Sequence, residues 1–315
     1  MPSPDVVSII VACHNEADNL PDLHRRIEAA CQSFEWELVL VNDGSADDTV
    51  GAVRKLQAQD KRVRLISFSR NCGQQAALRA GLRAANGDVA VTMDADLQHP
   101  PESIPDMVAR AREGADIVVM VHDEPQRGFC KELLSRWFYR LYSALTGVRF
   151  HHRASDFRLV SRRVLGIINR FPERNLFLRA SLLTLGFPVV YQKYRLGTRQ
   201  KGTPSYTLGK SISLATDALF NTSTIPIRLL FFAGLGIAGA AFLYGMINVI
   251  LRLVTDLSVP GYTDIIASVL FLGGLNLIML SVVAKYVQVV LEHVQQRPEY
   301  LIDERNSDPP ADNRR

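Results

Sequence analysis

The sequence lacks several features that would indicate common classes of protein. Its four cysteines, Cys13, Cys31, Cys72 and Cys130, are widely spaced and form no Cys-x-x-Cys pair, which fits a reducing compartment and argues against a zinc site. It has no basic stretch interleaved with aromatic residues, so we expect no nucleic-acid partner. No basic segment precedes the short apolar run at Val6–Cys13, so we do not interpret that run as a signal peptide. The domain that begins with this run is therefore expected to stay on the side of the membrane where it is made.

The turn after this first apolar run also lacks glycine. The run is continuous, which is typical of a strand buried on both faces of a sheet. A dinucleotide-binding unit would need a glycine-rich turn directly after it. The turn is instead acidic, His14-Asn15-Glu16-Ala17-Asp18-Asn19. The sequence therefore argues against a nicotinamide-binding enzyme.

Strand and helix patterns alternate through the first ~125 residues. Repeated β–α units indicate a mostly parallel sheet with helices on both faces. The patterns predict strands over residues 6–13, 37–41, 63–68, 89–93 and 115–121, and helices over 15–31, 45–59, 74–85 and 101–113.

Carboxylates follow two of these strands. Asp94 and Asp96 stand in VTMDADLQHPP, and Asp43 ends the strand before Gly44. Acidic residues can simply end a strand. Ligands of parallel sheets, however, bind beyond the carboxyl ends of the strands, where Asn15 and Arg70 also fall. Oxygen ligands suit Mg²⁺ or Mn²⁺ shared with substrate phosphates, so this edge is a candidate site.

Two segments in the last third carry no charge, residues 229–251 and 265–284. A helix needs about 20 apolar residues to cross a bilayer. Buried helices of a soluble protein are the alternative, but two in succession favour a transmembrane hairpin. The excess of Lys and Arg on one side of the hairpin predicts cytoplasmic termini, with Lys210, Arg228, Lys285 and Arg297 there and Arg252 in the loop.

Three further stretches have a distinct composition. Residues 131–145 form either an amphipathic core helix or a helix at the membrane interface, where aromatic and basic residues are favoured. A second stretch of this kind, 208–220, leads into the first apolar segment. Residues 303–315 are polar and are expected to be disordered.

Together these motifs resemble family-2 glycosyltransferases with a GT-A fold. The similarity is greatest to the polyprenyl-phosphate glycosyltransferases, which include the dolichol-phosphate-mannose synthase-like enzymes and the bacterial GtrB and ArnC types. The matching segments cover most of the chain and are VSIIVACHNEADNL (7–20), LVLVNDGSADDT (38–49), SRNCGQQAALRAGL (69–82), GDVAVTMDADLQHPPE (87–102), ASDFRLVSRRV (154–164) and QQRPEY (295–300).

The resemblance implies an α/β architecture: a GT-A, Rossmann-like catalytic domain with a mostly parallel sheet, followed by a two-helix transmembrane hairpin. We expect the catalytic domain at residues 1–207 and an amphipathic juxtamembrane segment at 208–228. The two transmembrane helices are expected at 229–251 and 265–288, and a cytoplasmic tail at 289–315.

The resemblance also implies residue roles. Asn15, Glu16, Asp43 and Asp94 are expected to bind the nucleotide sugar. Asp96, with Asp94, is expected to ligate the metal, Mg²⁺ or Mn²⁺, at the diphosphate. Asp156 takes the position of the acceptor-side carboxylate, as a general base or an orienting group. Asp96 and Asp156 are thus the catalytic candidates.

The phosphate of the lipid acceptor needs cationic partners. Lys131, Ser135, Arg158 and Arg199 are the candidates, although each basic residue can equally be a solvated surface charge. This sequence departs from the family here, because Gly202–Tyr206 has no Lys before the Tyr, where the family often has one.

The expected function is that of an inverting, metal-dependent enzyme at the cytoplasmic face of the inner (plasma) membrane, multi-pass and homo-oligomeric. It would move one sugar, glucose from UDP-glucose, onto undecaprenyl monophosphate, a polyprenyl phosphate. One alternative is a processive polysaccharide synthase, but the Gln-x-x-Arg-Trp motif is absent, since Leu133 stands where its Gln would be. A catalytically inactive, membrane-anchored sugar-nucleotide-binding protein is the other alternative.

Overall fold

The structure is a computed structural model. It describes residues 6–123, 154–171, 178–195, 262–295 and 298–308, together with individual helical positions between 227 and 250. The chain divides into two compact units. One contains residues 1–211 and 297–315, and the other contains residues 212–296.

The first unit contains a seven-stranded sheet with the order β3-β2-β1-β4-β6-β5-β7. All strands run parallel except β6, which is antiparallel to both β4 and β5. The predicted mostly parallel sheet is therefore confirmed. The strands are β1 (Val6–Cys13), β2 (Glu35–Asn42), β3 (Val63–Ser67), β4 (Val89–Asp94), β5 (Ile117–His122), β6 (Ala154–Ser161) and β7 (Val189–Tyr194).

Helices cover both faces of this sheet, because strand residues alternate between two apolar clusters. In β1, for example, Ile9 belongs to the cluster with α1, α2 and α4, whereas Ile10 belongs to the cluster with α3, α5 and α6. The described helices of this unit are α1 (Leu20–Ala30), α2 (Thr49–Gln59), α3 (Gln74–Ala84), α4 (Ile104–Arg112), α5 (Arg162–Ile168) and α6 (Leu178–Thr184).

Two helices begin later than the sequence predicts. Helix α1 begins at Leu20 rather than Asn15, and α2 begins at Thr49 rather than Ser45. The residues before each helix form loops at the carboxyl edge of the sheet. Asn15 has a φ of 60°, in the left-handed region, so it cannot be part of a right-handed helix.

The second unit contains the long helix α7 (Tyr262–Gln295). Within the described residues, its Phe271–Leu291 part is the one helix long and apolar enough to cross a membrane. This helix includes the predicted span at 265–288. In the predicted span at 229–251 the structure describes separate positions rather than the continuous segment, and these positions are helical. The two-helix hairpin is therefore not confirmed.

The expectation of disorder after residue 302 is wrong for residues 303–308. These residues belong with the sheet unit, where Asp303 N–H donates to Ser67 O over 2.7 Å and Asp308 N–H donates to Leu65 O over 2.8 Å. A polar composition indicated disorder, but the backbone of a polar segment can still pair with the free backbone groups at the edge of a sheet.

Candidate active site

Asp43, at the end of β2, is held by backbone N–H groups from another part of the chain. Its carboxylate accepts hydrogen bonds from Cys72 N–H over 2.6 Å and from Gly73 N–H over 2.9 Å. The side chain is almost completely buried. A carboxylate has about four lone-pair sites, so this arrangement leaves capacity for a ligand donor.

The loop that supplies these N–H groups, Ser69–Gly73, passes directly over Gly44. A Cβ at Gly44 would lie 2.4 Å from the backbone carbon of Arg70 and 2.5 Å from Asn71 N. Gly44 also has a φ of +59°. Close backbone approach and positive φ both require glycine at this position.

The loop after β1 is fixed to the loop after β2. Asn15 N–H donates to Ser45 Oγ over 2.9 Å, and Asn15 Oδ1 accepts from Ala46 N–H over 2.8 Å. Glu16 N–H donates to Thr49 Oγ1 over 3.1 Å, while the Glu16 carboxylate accepts from the side chain of Asn19. Two of the predicted nucleotide ligands therefore also hold these two loops together.

Asp94, at the end of β4, has two neighbours to which the sequence assigned no role. Gln74 Nε2 donates to Asp94 Oδ1. The backbone N–H of Asp94 donates to His99 Nδ1 over 3.0 Å. His99 is buried and stacks on Phe157 with ring centroids 5.2 Å apart. Both Gln74 and His99 lie within sequence motifs that match the family. Their position in these motifs could have identified them as candidate site residues.

Asp96 lies in a tight turn after β4. Its Oδ1 accepts from Gln98 N–H over 3.1 Å, and Leu97 between them has a φ of 64°. Among the described residues, Leu97 and Asn15 are the two non-glycine residues with positive φ. Backbone strain of this kind concentrates at functional sites, so both outliers support a site at this edge.

Asp156 reaches the same edge because β6 runs in the opposite direction to the other strands. Thr92 of β4 pairs with Arg158 of β6, and continuing this antiparallel register places Asp94 opposite Asp156. Thr92 Oγ1 also donates to Asp156 O over 2.7 Å. The start of β6 therefore lies where the parallel strands end.

Arg158 pairs with Asp156 within the sheet. Its Nη2 donates to Asp156 Oδ1 over 2.9 Å and to Ser155 O over 2.8 Å, and both charged side chains are buried. These bonds favour a role beside Asp156 over direct contact with a lipid phosphate. The other three predicted phosphate ligands, Lys131, Ser135 and Arg199, lie outside the described residues.

The electrostatic field at this edge is negative. Burial raises the pKa of the Cys13 thiol above its usual range, and the charges of Glu16, Asp47 and Asp94 raise it further. Burial alone would raise the pKa of Asp47, but hydrogen bonds from Thr49 and from Ala17 N–H lower it below its usual value. Several acidic side chains therefore share one edge, which favours a cation there.

The carboxylates fit a metal that is shared with a substrate. Within the described residues, no group of three or more His, Cys, Asp or Glu side chains is arranged to hold a metal ion by itself. Mg²⁺ is usually held by one or two carboxylates together with substrate phosphates and water. Asp94 and Asp96 match that donor set.

The 69–73 loop and the residue after it join the two halves of the site. Gly73 N–H contacts Asp43, and the next residue, Gln74, contacts Asp94. The structure thus brings together Asn15, Glu16, Asp43, Asp94, Asp96 and Asp156 at one edge of the sheet.

The sequence was also compared with models of known protein families. The family model described as "Glycosyl transferase family 2" matches residues 8–167. This range includes β1 from its third residue, all of β2 to β6, and the six carboxylate and amide residues of the edge.

Curated relatives align over nearly the whole chain. The SfII prophage-derived bactoprenol glucosyl transferase of Shigella flexneri is 34% identical over 94% of this chain and 97% of its own length. The putative glycosyltransferase CsbB of Bacillus subtilis is 32% identical over 96% of this chain and 92% of its own length. Among solved structures, glucosyl-3-phosphoglycerate synthase from Mycobacterium tuberculosis, in complex with Mg²⁺ and UDP, aligns with a TM-score of 0.48 and 20% identity, over 69% of this chain and 77% of that chain.

Proposed function

The chain belongs to glycosyl transferase family 2, and from this premise we propose that it transfers a single glucose from UDP-glucose onto a polyprenyl monophosphate such as undecaprenyl phosphate. The observation that carries the proposal is the extent of the alignment. A relative named as a bactoprenol glucosyl transferase covers the sheet, the apolar helix α7 and nearly all of the sequence between them. The edge carboxylates then supply the chemistry of a sugar-nucleotide transferase.

The donor binds, in this proposal, along the ends of β1, β2 and β4. Asp43 accepts hydrogen bonds from the base through the lone pairs that Cys72 and Gly73 leave available. Asn15 and Glu16 line the same pocket. Asp94 and Asp96 lie at the diphosphate, and a divalent cation bound there would neutralise the charge of the leaving nucleoside diphosphate.

The acceptor binds on the side of β6. A phosphate oxygen of the lipid attacks the anomeric carbon of the sugar, the bond from that carbon to the diphosphate oxygen breaks, and UDP leaves with the electron pair. The lipid phosphate is largely ionised at neutral pH, so Asp156 is proposed mainly to orient it rather than to remove a proton. Attack from the face opposite the leaving group inverts the anomeric configuration.

Lys131, Ser135 and Arg199 are proposed to bind the lipid phosphate. Lys131 and Ser135 are four residues apart and would share one face of a helix. Arg158 has another task in this proposal, since it pairs with Asp156 over 2.9 Å. Its positive charge still lies close to the acceptor side of the site.

Membrane association of α7 is supported by its side chains. None of its apolar Phe271–Leu291 part is buried, and Phe271, Leu277 and Leu280 are each more than 60% exposed. Such a surface is unfavourable in water and suits lipid. A Cβ built on Gly234 would lie 3.2 Å from Met279 Cε, so the segment around Gly234 contacts α7, which supports the proposed hairpin.

A panel of radiolabelled nucleotide sugars tests this function. The purified chain in detergent is incubated with undecaprenyl phosphate, Mg²⁺ and each labelled sugar, and the organic phase is counted. We expect label from UDP-glucose to appear in a lipid carrying one sugar. A long polysaccharide product would favour the processive synthase. Transfer of a different sugar would show that glucose is not the sugar transferred. UDP binding without transfer would favour the inactive binding protein.

A further inference from the structure

Residues 298–308, here called the return segment, follow α7 and pair with the outer edge of β3. Phe68 and Ile302 form an antiparallel bridge. Ser69 N–H donates to Leu301 O over 3.0 Å, and Asp303 N–H donates to Ser67 O over 2.7 Å. The segment therefore covers backbone groups that an edge strand would otherwise expose.

The far end of the return segment is fixed by Asp308. Its carboxylate accepts from Leu65 N–H over 2.7 Å, from Gln57 Nε2 over 2.6 Å and from Arg54 Nη1 over 3.0 Å. Three donors on one carboxylate fix the register of the segment along β3.

The near end of the segment contacts both sides of the 69–73 loop. Tyr300 stacks on Phe68, directly before the loop, with ring centroids 4.6 Å apart and an interplanar angle of 9°. Glu299 pairs over 3.2 Å with Arg79, which lies after the loop on α3 and is only 4% exposed. The return segment thus contacts the chain on both sides of this loop, at Phe68 before it and at Arg79 on the helix that follows it.

The same loop carries the N–H groups that hold Asp43. Cys72 and Gly73 donate to the Asp43 carboxylate, and Gln74 donates to Asp94. The backbone at Arg70 lies so close to Gly44 that even a methyl group would not fit between them. A shift of either end of the loop would therefore move the donors around both carboxylates.

We propose that Glu299 and Tyr300 are positioning residues for the nucleotide pocket. Through Arg79 and Phe68 they hold the 69–73 loop over Asp43. The donor site is then complete only when the chain beyond α7 has returned to the sheet. The inference rests on the proposed function for the identity of the ligand, but the positioning itself depends only on the contacts of the return segment with Phe68 and Arg79.

The physical reason is conformational entropy. Ordering a loop residue costs conformational entropy, and a loop held at both ends has fewer conformations to lose when a ligand binds. Without the ion pair and the ring stack, part of the binding energy of the nucleotide would be used to order the loop, so its affinity would fall.

Hydrogen–deuterium exchange of the full-length chain tests the positioning directly. The variants are Glu299→Gln and Tyr300→Ala. Glu304→Gln is the matched control, because Glu304 is an exposed carboxylate of the same segment. Tyr300→Phe keeps the ring on Phe68 and loses only the 3.3 Å hydrogen bond from Arg83. We expect faster exchange at Cys72 and Gly73 in the first two variants and wild-type exchange in the two controls.

Titration of UDP with Mg²⁺ into the same variants gives the second readout. We expect the Kd of UDP to rise about 3- to 30-fold in Glu299→Gln and Tyr300→Ala, with no change in the controls. Unchanged exchange at Cys72 and Gly73 would overturn the inference, and so would equal acceleration throughout β1 and β2, which indicates general destabilisation. Faster loop exchange with an unchanged Kd would support the positioning and count against the proposed nucleotide site instead.

Discussion

Arg158 donates a hydrogen bond to Asp156 over 2.9 Å, and both side chains are buried in β6 near the carboxyl edge of the sheet. Two charges this close inside a protein hold each other in place, and removal of one leaves the other uncompensated. The carboxylate proposed to face the acceptor is thus fixed by a residue of its own strand.

Asp156→Asn is expected to impair transfer while leaving the affinity for UDP nearly unchanged. The amide keeps the size of the side chain but loses its charge, and a major electrostatic contribution is worth about 10²-fold or more in kcat. Turnover with UDP-glucose and calorimetric titration of UDP with Mg²⁺ provide the two measurements. A loss of UDP affinity as large as that in Asp96→Asn would move Asp156 into the donor site.

Arg158→Met is expected to destabilise the protein more than the double variant Asp156→Asn/Arg158→Met. Breaking a buried pair from one side costs about 3–5 kcal/mol, whereas removing both charges avoids an unpaired buried carboxylate. Thermal unfolding in detergent measures the difference. Arg110→Met is a control, because that guanidinium is 53% exposed and pairs with Glu113, which is 63% exposed. Equal melting temperatures for the single and double variants would contradict the coupling.

Asp96→Asn is expected to lower activity by at least ~10²-fold, because it removes one hard anionic ligand at the diphosphate. The fold should survive, since Asp96 lies in a turn beyond β4. Asp106→Asn is the matched control, as Asp106 is an exposed carboxylate on α4. Activity is measured with and without EDTA. Wild-type activity in EDTA, or in Asp96→Asn, would contradict the metal role.

Lys131→Ala and Arg199→Ala are each expected to raise the KM for undecaprenyl phosphate more than the KM for UDP-glucose. A charge-assisted hydrogen bond to phosphate is worth roughly 1.5–3 kcal/mol, so kcat/KM should fall about 10- to 100-fold for each. Kinetics at low and high ionic strength check the mechanism. A surface role would be worth only about 1 kcal/mol per residue and would be screened by salt. If mutant and wild type converge at high salt, these residues do not belong to the active site.

A cysteine at position 260 is expected to react only with reagents applied from the side opposite the catalytic domain. The hairpin prediction places Pro260 and Gly261 in its loop, beyond the membrane. The labelling needs a background without Cys13, Cys31, Cys72 and Cys130. A cysteine at position 304, in the return segment, should react only from the cytoplasmic side. Labelling of position 260 from the cytoplasmic side would mean that the hairpin does not cross the membrane.

Strands and carboxylate placement are predictable where the chain is regular. A continuous apolar run identifies β1, and the alternation of strand and helix patterns identifies β2 to β5. The ends of parallel strands meet at one edge, which is enough to place Asn15, Asp43 and Asp94 together. The predicted helix starts are several residues too early. The composition of residues 15–19 and 45–48 is compatible with a helix. Their hydrogen bonds, however, join the two loops to each other and do not begin helices.

The path of the 298–308 segment is not predictable in the same way. The polar composition of residues 303–315 predicts disorder, and the partners of Ser307 and Asp308 on β3 are more than 230 residues away in the sequence. No local pattern records such a pairing. The ion pair between Arg79 and Glu299 likewise joins residues that are far apart in the sequence, so no helical or strand periodicity predicts it.

The sequence by itself determined the family, the parallel sheet and the identity of the acidic residues, because hydrophobic periodicity and short motifs are local properties of a chain. The tertiary structure alone decided three relationships at the site. It set the reversed direction of β6 that brings Asp156 opposite Asp94, the backbone donors from Cys72 and Gly73 that hold Asp43, and the return of the chain to β3. Each depends on contacts between distant residues, which form only when the packing of the whole sheet selects one register among many.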